Sequence, residues 1–204
     1  MLDHTATTSN DPPLRPDEAA LQRRSERRWW PALAVLGVIL VVVLGGFVTA
    51  AALSEPAGHP VTVGSVVTVQ PLTGWVTADT APIGDLPFAR ITRGGGNLDV
   101  VVIPGYGGTA RGLADDYVER VLRQELTQLS VSDALATVTL LDGSVAQRLH
   151  YVGANDTGQS VEGEVTAVVT PNGDGVVFDG WAPEGLLAFV DGDLHTMIDR
   201  AAFA

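Results

Sequence analysis

Hydrophobic and polar positions divide the chain into one long uncharged run and a remainder that alternates. Residues 29–54 contain no charged side chain, and 32–53 read ALAVLGVILVVVLGGFVTAAAL. Those 22 residues would form a helix of about 33 Å, which matches a hydrocarbon core of about 30 Å. A helix satisfies its own backbone polar groups, and a lone segment has no other way to cross lipid. Trp29 and Trp30 stand at one end of the run, where indole rings favour the membrane–water interface. Pro31 follows them, at a first-turn position where a missing N–H costs nothing. A transmembrane helix is therefore expected over 29–54.

Beyond that run the period changes to that of strands. Residues 61–70 (VTVGSVVTVQ) are rich in β-branched side chains. Segments 88–93 and 98–103 flank Gly94-Gly95-Gly96-Asn97, which predicts a hairpin. Further strands are expected at 135–141, at 144–152 after Asp142-Gly143, at 161–170, and at 176–181 after Asn172-Gly173-Asp174-Gly175. In 161–170, Val161, Gly163, Val165, Ala167 and Val169 alternate with Glu162, Glu164, Thr166 and Thr170. That alternation predicts one buried and one wet face, with Val168 as the exception. Short turns between these strands imply an antiparallel meander.

Two stretches have helical spacing. Over 109–129, Leu113, Tyr117, Val121, Leu122, Leu126 and Leu129 fall on one stripe, with Asp115, Asp116 and Glu119 in its N-terminal half. Over 191–203, Leu194, Met197, Ile198 and Ala201 face inward. Helices set against an antiparallel sheet give an α+β layer fold.

The remaining segment, 1–28, is polar and carries Pro12, Pro13 and Pro16. It buries too little apolar surface to offset its ordering entropy and is expected to be a disordered tail. Arg23, Arg24, Arg27 and Arg28 lie in 21–28 with only Glu26 against them, whereas 55–89 hold no arginine. Positive charge stays inside, so the tail is expected in the cytoplasm and the C-terminal part outside. The organisation is thus a cytoplasmic tail (1–28), a transmembrane helix (29–54), a linker (55–60) and an extracytoplasmic α+β domain (61–204). Ala50-Ala51-Ala52 fits the small-residue rule for signal cleavage, and cleavage after Ala52 would release a soluble domain. The apolar core exceeds the roughly 7–15 residues of a secretory signal, which favours an uncleaved anchor. The arginine pairs match a twin-arginine export signal poorly.

Charge narrows the partners. The chain has 24 acids and 12 basic residues, all arginine, for a net charge of −12. Residues 55–204 hold 19 acids against 7 arginines, whereas residues 1–54 balance. Nucleic acid is excluded as a partner, because its phosphates would be repelled. Cysteine is absent, which excludes disulfides and thiolate chemistry.

Several groupings look like chemistry and are read as structure. Gly105-Tyr106-Gly107-Gly108-Thr109-Ala110 follows a strand and opens a helix, as a dinucleotide fingerprint would. The strands after it are joined by tight turns, and Asp142 stands too far beyond it for the usual acidic partner at about 20 residues. It is read as a glycine-rich strand-to-helix loop. Asp191, His195 and Asp199 share a helical face on which a metal could be held. With no second histidine near in sequence, they are read as a solvated face. Segments 172–175 and 191–193 lack the spacing and terminal glutamate of a calcium loop and are read as turns. No G-x-S-x-G elbow occurs. His150 is read as a strand-surface residue, and Trp75 and Trp181 as core. No residue is assigned a catalytic, cofactor-binding or metal-binding role, and no cofactor is expected.

Pro71-Leu72-Thr73-Gly74-Trp75 follows the first strand. After it come a hairpin, a long amphipathic helix, three antiparallel strands and a short terminal helix. That order resembles the PsbP-like domains, including the LpqN-type cell-envelope proteins of actinobacteria, over about 60–204. Arginine without lysine is similarly consistent with an actinobacterial coding bias. The resemblance implies an α-β-α sandwich with a central antiparallel sheet, and a non-enzymatic binding or assembly role. LpqN-type proteins are lipid-anchored through a cysteine, which this chain replaces with its apolar helix. The expected function is a membrane-anchored, extracytoplasmic binding or assembly module with an envelope protein or envelope component as partner. The rival is an envelope hydrolase or transferase whose carboxylates sequence cannot pair.

Overall fold

The structure, a computed structural model, describes residues 58–204. The tail (1–28), the apolar segment (29–54) and the start of the linker (55–57) lie outside the described residues. No helix among the described residues is long and apolar enough to cross a membrane.

The stretch expected as one strand at 61–70 is a hairpin of β1 (Val61–Val63) and β2 (Val67–Val69). Gly64 and Ser65 both adopt positive φ, and Val66 N–H bonds to Val63 C=O at 3.1 Å. Two left-handed residues in succession make the primed turn whose twist suits a tight hairpin, and glycine enters that region without steric cost. Next come β3 (Val76–Asp79), which sequence reasoning did not predict, β4 (Phe88–Arg93) and β5 (Gly96–Ile103).

The first helix, α1 (Ala110–Tyr117), opens with the Thr109 hydroxyl accepting from Gly112 N–H at 3.1 Å. It continues through a π-helical stretch (Val118–Leu122) and ends in a last α-helical turn (Arg123–Glu125). Residues 127–129, expected as helix, belong instead to strand β6 (Thr127–Val131). Leu126 and Leu129 keep the helical spacing, but β6 pairs with a neighbouring strand and that pairing prevails.

Strands β7 (Ala136–Thr139), β8 (Val145–Ala154), β9 (Ser160–Val169) and β10 (Gly175–Pro183) follow. The last helix, α2, runs Leu187–Asp199, four residues earlier than the sequence pattern suggests, and the chain closes with β11 (Ala202–Phe203).

Eight strands form one sheet in the order β3-β4-β5-β10-β9-β8-β6, with β7 also paired to β8. Every pairing is antiparallel. Strands β8, β9 and β10 are the expected meander. A second sheet, β1-β2-β11, is separate.

Each face of the large sheet carries its own core. Leu113, Tyr117 and Leu122 of α1 pack with Leu149, Val165, Ala167 and Val177. On the opposite face, Leu194, Met197 and Ile198 of α2 pack with Val100, Phe178 and the valines of β1 and β2. The sandwich expectation is met in part. There is a helix on either side, but the α2 layer also contains the three-stranded sheet.

Covering both faces corrects the expected wet face of β9: Glu164 is 4 % exposed and Thr166 is 0 %. Trp75 is core as expected, whereas Trp181 is only partly buried.

Candidate functional site

A polar row crosses the sheet beneath α1. Arg90 of β4 pairs with Asp99 of β5, Asp99 with Asp179 of β10, and Asp179 with Val165 of β9. Strand partners point to the same face, so the register alone places two carboxylates side by side under a helix. Asp99 is 6 % exposed and Asp179 is 4 %.

Both acids accept hydrogen bonds on both oxygens. Arg90 grips Asp99 with two nitrogens, Nε to Oδ1 at 2.6 Å and Nη2 to Oδ2 at 2.7 Å. Trp181 Nε1–H donates to the same Oδ2 at 3.1 Å. The guanidinium also stands 5.7 Å over the rings of Phe88 and Trp181, a favourable place for a cation. Asp179 receives two phenols instead, Tyr151 at 2.8 Å on Oδ1 and Tyr117 at 2.9 Å on Oδ2. Tyr151 can lean this way because Gly163 is its strand partner: a Cβ there would lie 2.4 Å from Tyr151 Cζ.

The two acids differ in charge balance. Burial, reinforced by Asp99, pushes the Asp179 carboxyl up to about 7 despite the two tyrosine hydrogen bonds. Burial likewise holds both tyrosines well above the usual phenol range, so they remain donors.

Above this floor lies an open cleft with two arms, which share Arg90, Asp99, Gln124 and Glu125 in their walls. One arm, of about 410 Å3, runs along Trp181, Tyr151 and Leu126 to the β8–β9 turn at Asn155 and Asp156. The other, of about 470 Å3, is mostly apolar, with Leu86, Phe88, Val101, Ile103 and Val121 on its sides and Ile83 at its edge. Such volumes suit small organic ligands. Gln124 and Glu125 hang over the junction from the turn that follows the π-helical stretch, an irregularity often found at functional sites.

Glu125 is exposed at the cleft mouth. Its carboxyl is raised from the ordinary value by partial burial and by Asp99, against the opposing field of Arg90. Among the described residues no side chain donates a hydrogen bond or ion pair to it.

On the other face, Glu164 gathers Arg148 (2.9 Å), His150 (3.1 Å) and His195 (2.7 Å), and Asp191 stands 3.4 Å from His195. The hydrogen bond to Glu164 raises the His195 pKa. The solvated-face reading of Asp191, His195 and Asp199 changes here, while His150 stays on the strand surface as expected. Asp191 and His195 do come together, but their third partner is Glu164 of β9 rather than Asp199. His150, remote in sequence from His195, joins the same carboxylate. Glu164, Asp191 and His195 have the donor types of a metal site, yet Arg148 already occupies the shared carboxylate oxygen that a cation would need.

The remaining groupings behave as structure. Gly105 N–H donates to Asp174 Oδ1 at 2.8 Å and Gly107 N–H to Gly173 C=O at 2.9 Å. The glycine-rich loop and the 172–175 turn therefore brace one another.

Sequence reasoning missed Asp99, Asp179 and Glu125. A signal existed for the first two: each interrupts an apolar strand, LDVVVI and VVFDGW. A charge inside such a run either pairs or serves a site.

No protein-family profile matches the chain, and no curated protein matches it. Solved structures do. LpqN of Mycobacterium tuberculosis, described as involved in cell envelope biogenesis, aligns with a TM-score of 0.52 at 13 % identity, over 74 % of this chain and 86 % of that one. Cyanobacterial PsbP (CyanoP) of Synechocystis aligns at 0.48 with 18 % identity, over 74 % and 99 %. The Ran-binding protein Mog1p of Saccharomyces cerevisiae aligns at 0.48 with 13 % identity, over 73 % and 96 %. The likeness to LpqN shows a shared fold for the described domain.

Proposed function

We propose that residues 61–204 form an extracytoplasmic binding module, held at the cytoplasmic membrane by the apolar segment 29–54, that captures a ligand in the cleft beneath α1. One observation carries the binding role. The cleft is open and roomy, yet both floor carboxylates have their oxygens taken up by internal donors. A general base must present an accessible oxygen to substrate, and these two acids are buried, Asp99 at 6 % and Asp179 at 4 % exposure. Paired-carboxylate hydrolysis needs two such groups facing one substrate bond, and the carboxylates left unengaged among the described residues line different parts of the cleft, Glu125 at the junction of both arms and Asp156 on one arm alone. The floor therefore shapes and stiffens the cleft instead of reacting. Tethering would raise the module's effective concentration near other envelope components. The link to LpqN, a protein involved in cell envelope biogenesis, supports an envelope setting for the same fold.

The absence of cysteine makes the topology simple to test. Phe189 is 78 % exposed, so F189C in the full chain should react with a membrane-impermeant maleimide on intact spheroplasts. S9C should react only after lysis. Labelling of S9C but not F189C in intact spheroplasts overturns the orientation. Recovery of F189C in the soluble fraction, without its N-terminus, overturns the anchor. Turnover of a cell-wall substrate that E125Q abolishes would replace the binding role with the hydrolase or transferase reading.

A further inference from the structure

The cleft's charges do not cancel once internal pairing is counted. Arg90, whose field reaches Glu125, is held by both oxygens of Asp99. Arg120, on the apolar arm, lies 3.9 Å from Asp116 of the same helix. Glu125 has no such partner among the described residues, and it lines both arms where they meet. Asp156, on the first arm alone, is likewise without a side-chain partner among the described residues, so what the walls leave over is negative and Glu125 is the part of it that both arms share. It stands beside aromatic faces on one side (Trp181, Tyr151) and an apolar arm on the other (Phe88, Val101, Val121).

Resting on the reading of this cleft as a binding site, we propose that its ligand is a small amphiphilic organic cation. A protonated amine sits at the junction against Glu125, and an apolar body fills the arm lined by Phe88, Val101 and Val121. An ammonium there supplies the partner that Glu125 lacks and offsets the repulsion from Asp99 across the junction. An anionic ligand gains nothing comparable, because the cleft's guanidinium at Arg90 is already bound on two points. A neutral ligand gains the apolar arm alone.

The test compares three ligands of one shape: phenylbutylamine, phenylbutanol and phenylbutyrate. Each is titrated at neutral pH into the full chain carried in zwitterionic nanodiscs. The readout is the indole N–H resonance of Trp181, which reports the cleft floor through Asp99. The indole of Trp75, bonded to Asp193 in the opposite layer, is the internal control. The amine should shift Trp181 to saturation and leave Trp75 in place. It should bind about tenfold more tightly than the alcohol, with the carboxylate weakest. Shortening the amine's chain should cost about three- to fourfold in affinity per methylene removed.

E125Q, at an exposed position, should erase the preference for amine over alcohol. Two results overturn the cation: the carboxylate binding as tightly as the amine, or E125Q leaving the amine-to-alcohol ratio intact. In either case the cleft still binds, so the functional reading survives. If none of the three ligands moves Trp181, the cleft is not a binding site and both readings fall.

Discussion

The two faces of the large sheet solve the same electrostatic problem differently. Each buries an acid on a central strand, Glu164 of β9 beneath α2 and Asp179 of β10 beneath α1, both 4 % exposed. Under α2 the acid is surrounded by bases: Arg148, His150 and His195 all reach it. Under α1 the acid receives only neutral phenols, and the neighbouring guanidinium is spent on Asp99. The α2 layer is also reinforced by the β1-β2-β11 sheet, whereas the cleft opens between α1 and its strands. A closed face with matched charge is built to hold the domain together. An open face with leftover negative charge is built to meet something else.

The sharpest way to break this contrast is to remove one acid from each face. Glu164→Ala leaves Arg148, whose side chain is 13 % exposed, facing a space its counter-charge has vacated. Stranding a buried charge in this way typically costs about 3–5 kcal/mol. Asp99→Asn strands Arg90, but that side chain is 40 % exposed and can turn toward water. Its loss should be nearer the ~1.5–3 kcal/mol of a hydrogen bond to a charged group. Urea unfolding of both variants at one pH measures the difference. Equal losses would show that the two faces are held alike and that the distinction drawn above is false.

Part of this contrast was legible in the sequence. The alternation in 161–170 gave β9 and its faces correctly. It misjudged Glu164, Thr166 and Thr170 as facing water, because a period of two records which residues share a face, not whether a second layer covers it. The polar row beneath α1 could not be read from spacing. Arg90 and Asp99 are hairpin neighbours, but Asp179 reaches them only because β10 returns to the middle of the sheet, between β5 and β9. Long-range register of that kind is set by tertiary pairing, so the residues of the site are scattered along the chain. Gly163 shows the same limit. It looked like one more small residue on the buried face, and its role is to make room for the Tyr151 ring.

A pH series sharpens the comparison without removing a side chain's volume. The Asp179 carboxyl titrates near 7 in the folded protein against 3.8 for the free group. Between those values the native state keeps a proton that the unfolded chain has released. Stability should therefore fall as pH rises from about 4 to about 7. His195, raised by Glu164, contributes in the same direction: its stabilisation is complete below 6.5 and is lost as pH rises through its elevated folded value. Asp179→Asn preserves shape and leaves an acceptor for one tyrosine. It should flatten the Tm profile at acidic pH and leave the decline above 6.5 that belongs to His195. A slope that persists unchanged across the whole range would assign it to groups other than Asp179.

The smallest effect is expected at Glu125, and it bears on whether the cleft's negative charge is truly in excess. A carboxylate that supports the fold should cost stability when neutralised. A carboxylate whose folded pKa is raised behaves oppositely: its ionisation weakens the native state as pH climbs past 4.5. Glu125→Gln should thus leave stability at neutral pH within about 0.5 kcal/mol of the parent, on the favourable side. The gain should vanish at acidic pH, where both side chains are neutral. Paired urea midpoints at the two pH values suffice to check this. A clear loss at neutral pH would mean that Glu125 is pinned by an interaction within the protein, and it would then have no free charge to offer a ligand.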